Sequence, residues 1–206
     1  MIVTRRAATL GLGAAFLAAS GCASTFRTFY DSGVPPEVSR SWRVADVRVA
    51  VPATLSVSEA KTLLPKADIV WREDPEGDRR AQVAAIVETT ARQGGSGLRG
   101  SRAVILDITV SRFHALTFEA ERRMSNAGVH NIDFTIQVVD ASSGQVLAGP
   151  DAIEAALPAL SGAAMVEARR QGQTQKSQIT AHLRATIAGW LGAGPDARRS
   201  FSRMGN

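Results

Sequence analysis

Three histidines, a single cysteine and a short run of charge are the residues here whose types could do chemistry. His114 and His130 share the parity of the apolar residues on two alternating segments, and His182 flanks the apolar stripe of the last helical segment. Neutral imidazoles ligate metals and move protons, so convergence of the three would make a ligand site or an acid–base site. Taken singly, each reads as an edge-of-core histidine bonded to nearby polar groups. Asp74, Glu76, Asp78, Arg79 and Arg80 crowd the start of a helical segment. There an acid accepts from free backbone amides and meets the helix dipole, and a ligand or partner contact is the other use of such a cluster. Gly94-Gly95-Ser96-Gly97 lacks the Lys-Ser/Thr of a phosphate loop, so it reads as a helix end and a loop. Zinc-ligand spacing, a dinucleotide fingerprint and a nucleophile elbow are missing from the sequence. No catalytic residue, no metal and no dissociable cofactor are expected.

Cys22 is the sole sulfhydryl, so no disulfide can form within the chain. Its position gives it another meaning. Arg5 and Arg6 precede an apolar run, Leu10 to Ala19, followed by the small residues Ala19, Ser20 and Gly21. This is the order of a secretory signal, and the run is half the roughly twenty residues a spanning helix needs. Ala19-Ser20-Gly21-Cys22 resembles the lipobox of bacterial lipoproteins, with Ala19 where that family prefers Leu. The resemblance implies cleavage between Gly21 and Cys22, with covalent lipid on Cys22 of up to three acyl chains, enough for stable anchoring. Thr4-Arg5-Arg6 partly resembles a twin-arginine signal. Ala23 replaces the Asp that retains enteric lipoproteins at the inner membrane. An outer-membrane anchor facing the periplasm is therefore expected, with the periplasmic face of the inner membrane as the alternative.

Composition bounds the rest. The chain has 206 residues, 45% hydrophobic and 21% charged, the mixture of one globular domain. A net charge of +5 and 5% aromatic residues exclude a concentrated nucleic-acid face.

The elements that must position these groups follow from periodicity. Residues 22–41, with Gly33 and Pro35-Pro36, show no sustained period and read as a lipidated N-terminus and flexible tether, with Phe26, Phe29 and Tyr30 placed either to meet the lipid interface or to pack on the domain. The domain is predicted to span 42–192. Val47, Val49 and Val51 share a strand face, Ser56 to Leu64 has helical spacing, and Asp68 to Arg72 is a short strand in which Trp71 reads as core. A helix follows Asp78. Val104, Leu106, Ile108 and Val110, continuing to Leu116 and Phe118, alternate with polar residues, as do Ile132, Phe134, Ile136 and Val138. Asp140 to Gly144 is a turn, a third strand from Gln145 bends at Gly149-Pro150, and a last helix runs from about Thr174 to Leu191. Residues 193–206 read as a disordered basic tail. One dry sheet face and several apolar helix stripes predict an α+β two-layer sandwich, a mostly antiparallel sheet of about five strands with helices on one face.

Ala67 to Pro75, Val129 to Ile132 and Gly172 to Lys176 resemble stretches of a family of uncharacterised lipoproteins in alphaproteobacteria, over roughly residues 20 to 192. The strand and helix order is more loosely similar to transport-auxiliary and secretion lipoproteins. The resemblance implies a lipid-anchored envelope lipoprotein and supplies no activity. The expected role is a non-catalytic periplasmic domain that binds a protein partner in a transport or assembly complex. A carrier of a small molecule or lipid, with an apolar cavity between sheet and helices, is the first alternative. An enzyme using His114, His130 and His182 is the second.

Overall fold

The computed structural model describes residues 23–125 and 127–204. The domain is α+β. Eight strands lie in chain order: β1 (Ala23–Phe29), β2 (Trp42–Ala50), β3 (Ile69–Val70), β4 (Arg102–His114), β5 (Val129–Asp140), β6 (Val146–Ala155), β7 (Leu157–Pro158) and β8 (Arg199–Met204). The helices are α1 (Pro36–Ser39), α2 (Arg79–Gly95), α3 (Phe118–Arg123), α4 (Gly162–Arg170) and α5 (Gln175–Trp190). The sheet order is β2-β4-β5-β6-β1-β8, with β3 beside β4 and β7 beside β5. Every pair from β4 to β8 along this path is antiparallel, and β2 and β3 run parallel to β4.

Alternation in β4 and β5 divides the sheet into two faces. Leu106, Ile108, Ile132, Phe134 and Ile136 are buried under α2 and α5, whose Val83, Val87, Ile179, Leu183, Ile187 and Trp190 fill the layer between. Full burial of such a side chain contributes about 1.5–3 kcal/mol. The other face is solvated and charge-paired: Arg48 lies 3.9 Å from Asp107, Arg112 lies 3.6 Å from Asp133, and Arg27 grips Glu154 at 2.5 Å. Asp78 caps α2 by accepting from the amides of Arg80 and Ala81, and Thr174 and Ser177 cap α5 reciprocally. The Asp140 turn forms as its sequence predicts: the carboxylate accepts from the amides of Ser142 and Ser143 and from Arg102.

Four expectations are corrected. Residues 23–29 are not a tether. They form β1, paired with β6 at Thr28 and Phe29 and with β8 along Ala23 to Thr28, and Tyr30 and Val34 enter the core. Residues 199–204 are not a tail but the partner strand β8. Both were illegible because each is held by partners over a hundred residues away and carries little apolar alternation of its own. Ser56 to Leu64 is not helical. Ser56 is spent on Asp68, whose carboxylate accepts from its amide at 2.8 Å and its hydroxyl at 2.7 Å, while Val57 bridges Ile69 in parallel. Phe118 is not strand. Thr117 turns the chain into α3 by accepting from the Ala120 amide. The helix α4 had no counterpart in the sequence reading.

Candidate functional site

The three histidines are divided by a backbone irregularity. The β4–β5 register slips between Val110 and Arg112, so Ser111 is an extra residue. Beyond this bulge the parity of β4 reverses: Phe113, opposite Ile132, takes the dry face, and His114, opposite Asn131, takes the solvated one. His130 keeps the parity of Ile132 and is fully buried, and His182 faces it from α5. The expected convergence therefore fails for His114. Among the described residues no three His, Cys, Asp or Glu are grouped to hold a metal ion.

The two histidines on the dry side have different surroundings. Both ring nitrogens of His130 lack a hydrogen-bond partner in the protein, and burial, helped by His114 and His182, lowers its pKa to about 3. His182 is bonded at both nitrogens, to the Thr28 hydroxyl at 3.0 Å and to the Arg199 guanidinium at 3.3 Å. Burial, then Arg199, lowers it to about 4. His182 lines an open groove beside Leu157, Gln178 and Arg199, with both of its nitrogens already engaged. Between sheet and helices, where the carrier reading expects an apolar cavity, side chains of both layers belong to one buried cluster.

A charged cleft of about 800 Å³ lies instead at the end of the sheet where β3 leaves, between the 59–61 segment, the 72–79 turn and the start of α3. Trp71, fully buried, directly precedes the lining residue Arg72 and bonds the lining residue Asp74. The ring is buried edge-on against Phe113, centroids 5.5 Å apart, and Nε1 donates to Asp74 Oδ2 at 2.8 Å. The other Asp74 oxygen accepts from Lys176 Nζ at 2.5 Å.

Past β3, which ends at Val70, Arg72 and Glu73 turn to different partners. Glu73 and Glu121 share Arg169, at 2.6 and 2.8 Å, and Gln175 Nε2 also donates to Glu121 at 2.5 Å. These carboxylates, first Glu121, hold the Arg169 guanidinium well above its ordinary pKa. Arg72 donates to the carbonyls of Trp71 and Ser58 and lies 3.2 Å from Glu59 Oε2. Arg79 donates to Glu59 Oε1 at 2.9 Å, to the carbonyls of Asp74 and Pro75, and to Gln82. The two guanidiniums are 10% and 4% exposed, and the carboxylate they share is 58% exposed on a segment without regular secondary structure. Glu59 is consequently held below its ordinary pKa, first by Arg79.

Chemically this is a pair of arginines closed on one carboxylate. Planar guanidiniums present paired donors in the geometry a carboxylate or phosphate accepts, and one internal carboxylate already fills that role. The cleft hydroxyl, Thr117, is committed to the Thr62 carbonyl and the Ala120 amide. Phe118 stands half-exposed at the rim. Of these residues the sequence reading named Asp74 and Arg79 only as a helix-start cluster, and missed Glu59, Arg72, Glu121 and Arg169. The available signal was that two of the resembling stretches, Ala67 to Pro75 and Gly172 to Lys176, meet here through the Asp74–Lys176 pair. Gly21 and Cys22 lie outside the described residues. Among the described residues no helix is long and apolar enough to cross a membrane.

Two solved structures illustrate the fold's likenesses. The PelC dodecamer of Paraburkholderia phytofirmans is similar at 15% identity and a TM-score of 0.35, over 81% of this chain and 96% of that one. A candidate lipoprotein of Caulobacter crescentus CB15 is similar at 13% identity and a TM-score of 0.32, over 76% of this chain and 94% of that one. No curated protein matches the sequence. The profile of the family of unknown function DUF6778 matches residues 42–206, and the chain belongs to that family.

Proposed function

We propose that the chain is a lipid-anchored lipoprotein of the cell envelope whose periplasmic domain acts by binding rather than catalysis, and that the charged cleft receives an acidic group of a protein partner. The anchor rests on Ala19 to Cys22 behind a short apolar run. The binding role rests on one observation: Arg72 and Arg79, both nearly buried, share a single carboxylate that is mostly exposed. A guanidinium taken from water needs a full set of acceptors. Glu59 satisfies two at once from an exposed segment without regular secondary structure, and a partner's carboxylate in its place would leave neither arginine bare.

The test is site-specific photocrosslinking from Phe118 and Lys61, at the cleft rim, in intact cells, with labelled fatty acid followed on the same protein. A reproducible adduct that Arg72→Glu abolishes, on a protein carrying lipid at Cys22, is expected. A lipid-free protein would remove the anchor, and adducts indifferent to Arg72→Glu would remove the cleft.

A further inference from the structure

β1 is described from Ala23, the residue that follows Cys22 in the sequence, so a lipid on Cys22 would adjoin a folded strand. β1 pairs with β6 only at Thr28 and Phe29, whereas it pairs with β8 from Ala23 to Thr28. Arg27 is still held, its carbonyl accepting from the Ala156 amide at 3.1 Å, so Ala23 to Phe26 and their β8 partners project past the sheet as a two-stranded ribbon that ends at Ala23. On one rung of that ribbon Phe26 faces Phe201, rings stacked with centroids 5.8 Å apart, and both are partly exposed. Strand rise places this rung roughly 10 Å along the strand from Ala23, the residue that follows Cys22 in the sequence, within reach of the headgroup layer that flanks a hydrocarbon core about 30 Å thick.

The two strands are basic on both faces. The strands Ala23–Phe29 and Arg199–Met204 carry Arg27, Arg199 and Arg203 and no Asp or Glu, and Arg198 directly precedes β8. Arg27 is paired with Glu154, Arg198 with Asp196, and Arg199 with the neutral His182.

We propose that the β1–β8 ribbon is a membrane-seating element: the Phe26–Phe201 pair enters the interfacial layer beside the acylated Cys22, and the ribbon arginines meet anionic lipid headgroups. Stacked aromatic rings flanked by arginine suit that layer, which accepts an apolar body and a charged rim together. The inference rests on the anchored reading for its placement, while its surface is independent of the lipid. Seated this way the domain is oriented by a folded element rather than swinging on a linker.

The three native tryptophans, Trp42, Trp71 and Trp190, are at most 2% exposed, so an added indole on the ribbon reports alone. Lipidated F201W reconstituted in phosphatidylethanolamine–phosphatidylglycerol vesicles with brominated acyl chains is expected to lose at least twofold more emission than the wild type. Mass spectrometry on the same sample records lipid at Cys22. Lipidated F201W with wild-type quenching overturns the seating. Cys22→Ser protein, with and without Phe26→Ser and Phe201→Ser, then tests the surface without the anchor. Partition to anionic vesicles is expected to fall about tenfold in the serine pair at unchanged circular dichroism, and equal partition overturns the proposal. Quenching of F201W on a protein that never acquires lipid would leave the ribbon standing and remove the anchor.

Discussion

His182 joins the two ends of the chain through Thr28: its Nε2 lies 3.0 Å from the Thr28 hydroxyl, which itself donates to the Ala156 carbonyl at 3.1 Å. With that proton committed, the hydroxyl accepts from Nε2–H, which leaves Nδ1 to accept from the Arg199 guanidinium. One tautomer thus ties α5 to β1 and to β8, and a protonated imidazole would face Arg199 with a second positive charge.

Acid should therefore loosen the domain before its carboxylates titrate. The pKa of His182 falls to about 4 and that of His130 to about 3, both chiefly through burial. Each folded value lies below the unfolded value of roughly 6.5, so the unfolded chain binds more protons between them. The stability these groups contribute is fully present above about pH 6.5 and is lost as pH falls toward 4, at up to about 1.4 kcal/mol per pH unit for each imidazole. Calorimetry from pH 7.5 to 4 should show Tm falling through this window, with a shallower slope in His182→Asn. A flat profile down to pH 4 would contradict the neutral, buried state of both rings.

His130 should be a site where an apolar substitution stabilises. Its two nitrogens have no partner in the protein, and an unsatisfied buried polar group costs about 1–3 kcal/mol. His130→Leu removes that cost at comparable volume and is expected to raise Tm by roughly 2–6 °C in a domain of this size. A fall in Tm would mean that the imidazole makes a contact that Leu cannot.

Legibility followed the range of the forces. The helix after Asp78, the Asp140 turn and the alternation of β4 and β5 depend on neighbours within a few residues, and each was readable from spacing. The histidine site was misjudged by one residue, because parity carried from Val110 to His114 assumes an unbroken ladder and Ser111 breaks it. β1 and β8 were invisible because a mostly exposed ribbon needs no apolar stripe. The cleft was invisible for a different reason. Nothing in the spacing of Glu59, Arg72 and Arg79 says that a loop folds back on a helix start.

The Arg79 end of that cleft should matter more for stability than the Glu59 end. Arg79 satisfies two carbonyls, Gln82 and Glu59 while nearly buried, so Arg79→Met leaves several acceptors bare at once. A loss of about 3 kcal/mol is expected. Glu59 is mostly exposed, and Glu59→Gln keeps a hydrogen-bonding oxygen, so its cost should stay near 1 kcal/mol or less. Urea melts of the two variants read the difference directly. Equal losses would mean that Glu59 is a fixed structural ion rather than a replaceable one.

Removing residues 198–206 separates a strand from a tail. A disordered tail could be cut at no cost. Loss of β8 instead strips six paired positions from β1, the Phe26–Phe201 stack, the Arg198 contact over the Tyr30 ring and the Arg199 bond to His182. Net hydrogen bonds of about 0.5–1.5 kcal/mol each, offset by the entropy of the released chain, put the expected loss near 3 kcal/mol, or roughly 6–12 °C in Tm. Amide exchange localises the effect: Thr25 to Thr28 should lose protection while Leu106 and Ile136, in the middle of the sheet, keep theirs. Unchanged melting would return residues 198–206 to the status of a tail and leave β1 paired to the sheet only at Thr28 and Phe29.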